Sequence, residues 1–237
     1  MITIKIAGLA IGILNRFDYI EKKARDYLTD EPPVFTVEAT DEELLRERGM
    51  TEVEFPDGYL EFIVAYRKIA ERLPEFDGFV FHGAVLNLDG EAYAFTAKSG
   101  VGKTTHTRLW LSEFGERVHY LNGDKPIIRF IDGIPYACGT PWQGKEGFGR
   151  NERAALVGIA FLSRGEVNTA EPVPPSEVVT RLITQIYIPR GSAAMLARTM
   201  QLANRLIGSV RLVDLRCNMN PEAAHVSYAA LKGNKNN

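Results

Sequence analysis

Apolar positions recur at two different periods along this chain, and the switches between them mark its elements. Residues 2–14 are nearly all apolar or β-branched and predict one or two strands, broken near Gly8 or Gly12. Residues 18–28 predict a short helix ending before Glu31-Pro32-Pro33, and 34–37 a strand. Residues 41–48 predict a charged helix stopped at Gly49. In 59–73, Leu60, Ile63, Val64, Ile69 and Leu73 fall at near-helical spacing, with Glu61, Arg67, Lys68 and Glu71 between them. Asp57 is the expected cap of that helix and Pro74 its stop.

The period changes in the centre of the chain. Residues 79–88 and 91–96 are β-rich and are joined by Asp89-Gly90; 126–131 and 134–137 are joined by Asp132-Gly133. An Asp-Gly step between β-rich runs predicts a type I′ hairpin, because both residues tolerate positive φ. Between the two hairpins lie a glycine-rich loop, a helix over about 103–114 and a strand over 117–121. Further on the pattern predicts a buried strand at 156–162, a proline-rich loop at 171–175 and helices at 176–186 and 192–206. A last strand at 210–215 and a helix begun by Pro221 complete the chain before a polar tail at 232–237. The fold class is therefore α/β with α+β character: a mixed, hairpin-containing sheet with flanking helices. The softest boundary, near 74–78, divides a small N-terminal α/β subdomain (1–75) from a nucleotide-binding domain (76–237).

Composition narrows the function. A formal net charge of -2 leaves no basic excess for a nucleic-acid backbone. Cys138 and Cys217 form no metal or disulfide pattern and are expected as small core residues in a reduced, cytoplasmic setting. The apolar run at 6–14 follows Lys5 and is faintly signal-like, but Asn15-Arg16-Phe17-Asp18 comes at once and no cleavage site appears. No apolar run is long enough to span a membrane.

The segment Ala97-Lys98-Ser99-Gly100-Val101-Gly102-Lys103-Thr104 carries the chemistry. Its pattern is that of a phosphate loop: glycines let successive N–H groups converge on phosphate oxygens, and the next helix presents its positive end to them. The expected binding set is Ser99, Gly100, Val101, Gly102, Lys103, Thr104 and Thr105. Lys103 would reach the outer phosphates and Thr104 would ligate Mg²⁺. The ligand is ATP (or GTP) with Mg²⁺; the loop reads phosphates and does not choose the base. Ala97 replaces the usual first glycine, which is tolerable if that position avoids positive φ.

Phosphoryl transfer needs an acid near the loop. Asp124, after the 117–121 strand, is the candidate base or metal ligand, although Asn122-Gly123-Asp124 is also good turn chemistry. His82, expected on the strand that pairs with the one feeding the loop, could face Asp124. His106, in the first turn after the loop, is expected to be an exposed helix residue; His119 and His225 carry no signal. The glycine-rich stretch 139–151 contains Lys145 and Arg150, either of which could stabilise charge on a transferred phosphoryl group.

Taken together, Phe81-His82-Gly83-Ala84-Val85-Leu86 and Ser99-Gly100-Val101-Gly102-Lys103-Thr104 resemble the catalytic domain of HPr kinase/phosphorylase. Gly123-Asp124 is similar to a step shared with the ATP-dependent phosphoenolpyruvate carboxykinases. The resemblance covers about residues 79–131. It implies a His-Gly strand, a hairpin and then the loop, with Lys103 on phosphates, Thr104 on metal, Asp124 as base or metal ligand and His82 beside it. Two positions depart: Lys125 stands where the family has a second Asp, and Ala97 where it has Gly. The family forms hexamers; no interface is legible here, and a homo-oligomer stays open. The reading is a kinase acting on an unidentified hydroxyl acceptor, small molecule or protein. The alternatives are a nucleotide-binding regulatory module with little turnover, which Lys125 favours, and a carboxykinase-like enzyme, for which no Mn²⁺ cluster is found.

Overall fold

The computed structural model describes residues 1–50, 53–98 and 100–233. Strands β1 (Ile2–Ile6) and β2 (Leu9–Leu14) form a tight antiparallel hairpin, and β3 (Phe35–Glu38) joins β2 in parallel. The break falls at Ala7-Gly8; Gly12 stays inside β2. The helix expected over 18–28 is shorter: α1 (Tyr19–Lys23) gives way to a 3-10 turn at Arg25–Tyr27. Helix α2 (Asp41–Gly49) begins with a capping box in which Thr40 and Glu43 satisfy each other's backbone N–H groups. Helix α3 (Asp57–Arg72) buries Leu60, Val64 and Ile69 as its periodicity predicts. Asp57 does not cap it. Pro56 occupies the cap position, and the Asp57 carboxylate pairs with Arg48. Glu61, on the same helix, is 1% exposed and accepts hydrogen bonds from the backbone N–H groups of Arg16 (2.7 Å) and Phe17 (3.2 Å).

Among the described residues the second sheet has nine strands. They are β4 (Gly78–Val80), β5 (Ala84–Leu88), β6 (Glu91–Thr96), β7 (Val118–Asn122), β8 (Ile127–Ile131), β9 (Ile134–Cys138), β10 (Arg153–Arg164), β11 (Thr169–Pro172) and β12 (Arg211–Cys217). Their path runs β4-β8-β9-β10-β6-β5-β7, with β12 also on β10 and β11 on β12. Both Asp-Gly hairpins form, with φ of 53° and 86° at Asp89-Gly90 and 50° and 86° at Asp132-Gly133. Two expectations are corrected. Residues 79–88 are not one strand, since β4 pairs with β8 and β5 with β6 and β7, so the chain changes neighbours at Phe81-His82-Gly83. Part of the expected 171–175 loop is the edge strand β11, whose backbone pairs with β12 despite Pro172, in the edge position where proline is tolerated.

Four more helices cover the sheet: α4 (Lys103–Phe114), α5 (Pro175–Ile183), α6 (Ala193–Ile207) and α7 (Glu222–Lys232). Leu182, Leu202 and Leu206 from α5 and α6 pack with Phe79, Phe81 and Ile159, while Trp110 of α4 and Leu231 of α7 pack with Tyr93, Phe95 and Leu215. A further core joins the small sheet and α3 to Val80, Ile127, Cys138 and Trp142.

Strand direction decides where the chemistry gathers. β6 and β7 are each antiparallel to β5, so their carboxyl ends lie on the same edge, where β5 begins. β10 is parallel to β6, and β12 to β10, which puts Arg164 and Cys217 on that edge too. Ligands in open α/β sheets bind outside the carboxyl ends of strands.

Candidate functional site

The loop leaves β6 at Thr96 and enters α4 at Lys103. Gly100 and Gly102 take φ of 78° and 125°, which other residues rarely adopt, whereas Ala97 is not among the positive-φ residues and is buried under the loop. The missing first glycine therefore costs the loop no backbone conformation. Gly102 precedes α4 without any side-chain cap. The N–H groups of Lys103, Thr104 and Thr105 donate to no acceptor among the described residues, so the first turn holds unsatisfied donors and the positive helix end. Ser99 lies outside the described residues. Val101 N–H is occupied, donating to Lys98 O at 3.2 Å.

Lys103 and Thr104 are half-buried, and neither side chain makes a hydrogen bond to a described residue. Thr105 is exposed. Burial lowers the Lys103 pKa; Asp124 opposes this and Lys125 adds to it, so all three charges act on one another.

Asp124 is held by a turn that Asn122 builds. The Asn122 Oδ1 accepts from the backbone N–H of Asp124 (2.9 Å) and of Lys125 (2.8 Å), while its Nδ2 donates to Thr140. The turn reading and the functional reading of Asn122-Gly123-Asp124 are thus one device: the turn aims the carboxylate. Asp124 Oδ1 lies 3.4 Å from His82 Nε2 and 3.5 Å from Lys125 Nζ. Burial pushes the Asp124 pKa up, but His82, Lys125 and Lys103 together outweigh it and hold the pKa below the ordinary value. Asp124 is an ionised carboxylate at neutral pH.

His82 reaches Asp124 from the neighbour-switching segment and not from a strand. Its N–H donates to Gln185 O (2.7 Å), and its carbonyl meets the Thr96 hydroxyl at 2.9 Å. That hydroxyl also reaches Gln185 Oε1 at 2.6 Å, tying the end of β6 to the turn that follows α5.

The 139–151 stretch folds over Asp124. Gly123 N–H donates to Phe148 O at 2.8 Å, and a Cβ added at Gly144 would come within 2.9 Å of the Asp124 Cβ. Lys145 follows directly and is exposed. Arg150 is not brought to Lys103 and Asp124 in the same way; it lines a separate hollow with Arg108, His119, Tyr120 and Phe148. Arg108 Nη2 reaches Glu146 Oε2 at 3.6 Å, linking α4 to the same stretch.

His106 is not exposed. It is 2% exposed, with Nε2 3.0 Å from Ser227 Oγ, and burial drops its pKa to about 4. Its place one turn into α4 turns its ring inward against Phe95. His119 pairs with Glu152 and His225 with Glu113.

Arg164 was not legible as a site residue. From the end of β10 its Nε and Nη2 donate to the carbonyls of Val101 (3.1 Å) and Gly100 (2.7 Å). A peptide plane sets C=O and the next N–H in opposite directions. Holding the Val101 carbonyl therefore turns the Gly102 N–H away from Arg164. Gln185 was missed because its partners, His82 and Thr96, are distant in sequence.

Among the described residues no three His, Cys, Asp or Glu side chains cluster as a metal site. Mg²⁺ does not require such a cluster, since it takes one or two protein oxygens and completes its shell with phosphates and water.

No protein-family model matches the chain, and no curated protein matches it. Among solved structures it is similar to the Hpr(Ser) kinase/phosphatase from Coxiella burnetii, at 10% identity, over 62% of this chain and 91% of that one, with a TM-score of 0.36. A likeness at that level carries no conclusion about activity or residue roles.

Proposed function

We propose that this chain binds the magnesium complex of a nucleoside triphosphate on the 97–104 loop and transfers its γ-phosphoryl group to a hydroxyl acceptor. The observation that carries the proposal is the convergence of three groups on one sheet edge: the unsatisfied first turn of α4, the half-buried Lys103 and the ionised Asp124. The helix end and loop amides hold phosphate oxygens, and Lys103 reaches the outer phosphates. Thr104 would hold Mg²⁺, which when bound would supply charge neutralisation to the outer phosphates. Asp124 accepts a hydrogen bond from the acceptor hydroxyl. As the acceptor oxygen bonds to the γ-phosphorus and the bond to the β-phosphate oxygen breaks, the hydroxyl proton passes to Asp124 and the diphosphate leaves. Lys145, carried on the stretch over Asp124, supplies charge to the transferred group. Arg150 reaches it only if that stretch closes further.

Residues 1–75 serve as a small subdomain that supports the 139–151 stretch, with 76–237 as the nucleotide-binding unit. No helix among the described residues is long and apolar enough to cross a membrane, and the reduced cysteines suit a cytoplasmic protein. A second reading, a nucleotide-dependent regulatory module with little turnover, is favoured by Lys125, whose ammonium sits against the Asp124 carboxylate.

Lys103→Ala removes binding of Mg-ATP under both readings. Asp124→Asn leaves affinity within a few-fold but lowers slow ATP hydrolysis by about 10²-fold or more, the scale of a lost acid–base group. Calorimetry and a phosphate-release assay measure the two effects. Nucleotide binding unchanged in Lys103→Ala overturns the proposal; binding with no turnover in the parent protein favours the regulatory module.

A further inference from the structure

The loop has a second side. Opposite Lys103 and Asp124, the backbone around Val101, Gly102 and Thr105 borders a pocket of about 380 Å³, closed by Leu162, Arg164, Cys217 and Met219. Its size lies within the roughly 300–1,000 Å³ usual for small-molecule sites. The carboxyl ends of β10 and β12 form its wall, so the same strand directions that gather the phosphate site build this pocket beside it.

Apart from Thr105 at the phosphate end, the polar side chains of the described lining are already engaged. Asn218 Nδ2 donates to Glu166 O, and its Oδ1 accepts from Asn220 N–H. Ser163 Oγ donates to Leu215 O, and the Cys217 thiol meets His106 Nδ1 at 3.7 Å. Arg164 holds the two loop carbonyls. What faces the space is apolar surface from Val101, Leu162 and the highly exposed Met219, plus the flat guanidinium of Arg164. Such surfaces grip a planar ring through its face, by dispersion, sulfur–aromatic and cation–π contact, without reading its edge.

We infer that this pocket takes the nucleoside of the bound triphosphate and holds the purine by its faces, so that the protein accepts adenine and guanine nucleotides alike. The inference rests on the proposed phosphate site: a chain of phosphates running from Lys103 past Thr105 delivers its nucleoside end here. The free groups of Thr105 lie at the phosphate end, and away from the loop no polar side chain of the described lining is unengaged, so this wall cannot strongly reject a ring that differs only in edge substituents.

The test compares ATP, GTP and inorganic tripolyphosphate, each with Mg²⁺, by calorimetry on the full chain and on Met219→Ser. ATP and GTP should bind within about threefold of each other and at least about tenfold more tightly than tripolyphosphate. Met219→Ser should weaken both nucleotides about three- to tenfold and leave tripolyphosphate unchanged, as expected for losing one apolar contact. Alkylation gives an independent readout. Cys138 is 1% exposed and shielded, so the reacting thiol is Cys217. ATP and GTP should slow its modification, followed by intact mass, and tripolyphosphate should not. Tripolyphosphate binding as tightly as ATP, or equal protection by all three, overturns the nucleoside pocket while leaving the phosphate loop standing. A tenfold preference for one purine overturns recognition by faces alone. Failure of all three ligands to bind overturns the phosphate reading and this inference with it.

Discussion

His106 shows how much one buried side chain can fix. The Ser227 hydroxyl has a single proton, which it donates to Ala224 O at 2.9 Å. Trp110 Nε1, which can only donate, already points at the same oxygen. His106 Nε2 must therefore donate as well, which makes Nδ1 the acceptor that faces the Cys217 thiol. A neutral ring is required, and burial lowers its pKa from 6.5 to about 4. The folded-state value is depressed, so between those limits the unfolded chain binds more protons and stability rises with pH. The stability is present above pH 6.5 and is lost as the pH falls toward 4, by up to about 3 kcal/mol for this group. Urea denaturation at pH 7 and pH 5 should show the loss, and His106→Asn should be less stable at pH 7 but flatter across that window. An equal slope in the variant would assign the acid sensitivity to other groups.

At the scale of elements, the glycine loop is held from outside. Its backbone bends at Gly100 and Gly102, but the direction of its peptide planes depends on Arg164, 63 and 64 residues on from the carbonyls it holds, at the end of β10. Removing the guanidinium frees two carbonyls to turn inward, where they would repel phosphate. Arg164→Ala should weaken tripolyphosphate by about 10- to 100-fold, the equivalent of roughly 1.5–3 kcal/mol for charge-assisted bonds, and a nucleotide by at least as much, since its ring also loses the guanidinium face. Calorimetry on both ligands checks this, and a loss confined to the nucleotide would mean that Arg164 serves the base and not the loop. The same residue could not be found from the sequence, since nothing near Arg164 hints at a carbonyl more than fifty positions earlier.

Across the whole molecule, the small sheet and α3 reach the site through Trp142. Its ring stacks on Phe62 with centroids 5.2 Å apart, and its Nε1 donates to Phe62 O at 3.0 Å. Trp142 is 5% exposed and lies two residues before Gly144, which packs against Asp124. Trp142→Ala should destabilise the fold by about 3–5 kcal/mol, the usual cost of emptying a large buried site. At a temperature where the variant stays folded, turnover should fall while nucleotide affinity holds, because the covering stretch loosens and the loop on β6 does not. Denaturant titration with parallel calorimetry tests both halves; unchanged turnover would detach the N-terminal elements from the chemistry.

Local information determined a good part of this protein. The Asp-Gly turns, the span of α4 and the glycine loop follow from backbone preferences carried by neighbouring residues, and the structure has each where those preferences put it. The fold class follows too, since hairpins next to helices at this spacing need a mixed sheet. Tertiary structure decided the rest. Whether 79–88 is one strand or two depends on which neighbours accept it, and β8 and β6 claim different ends. Asp57 looked like a cap, yet Arg48 took its carboxylate; His106 looked exposed until α7 covered it with Ser227. The meeting of His82, Lys103 and Asp124 with Lys125 comes from strand order and direction. Pairings between distant segments set that order, and no short stretch of chain encodes them.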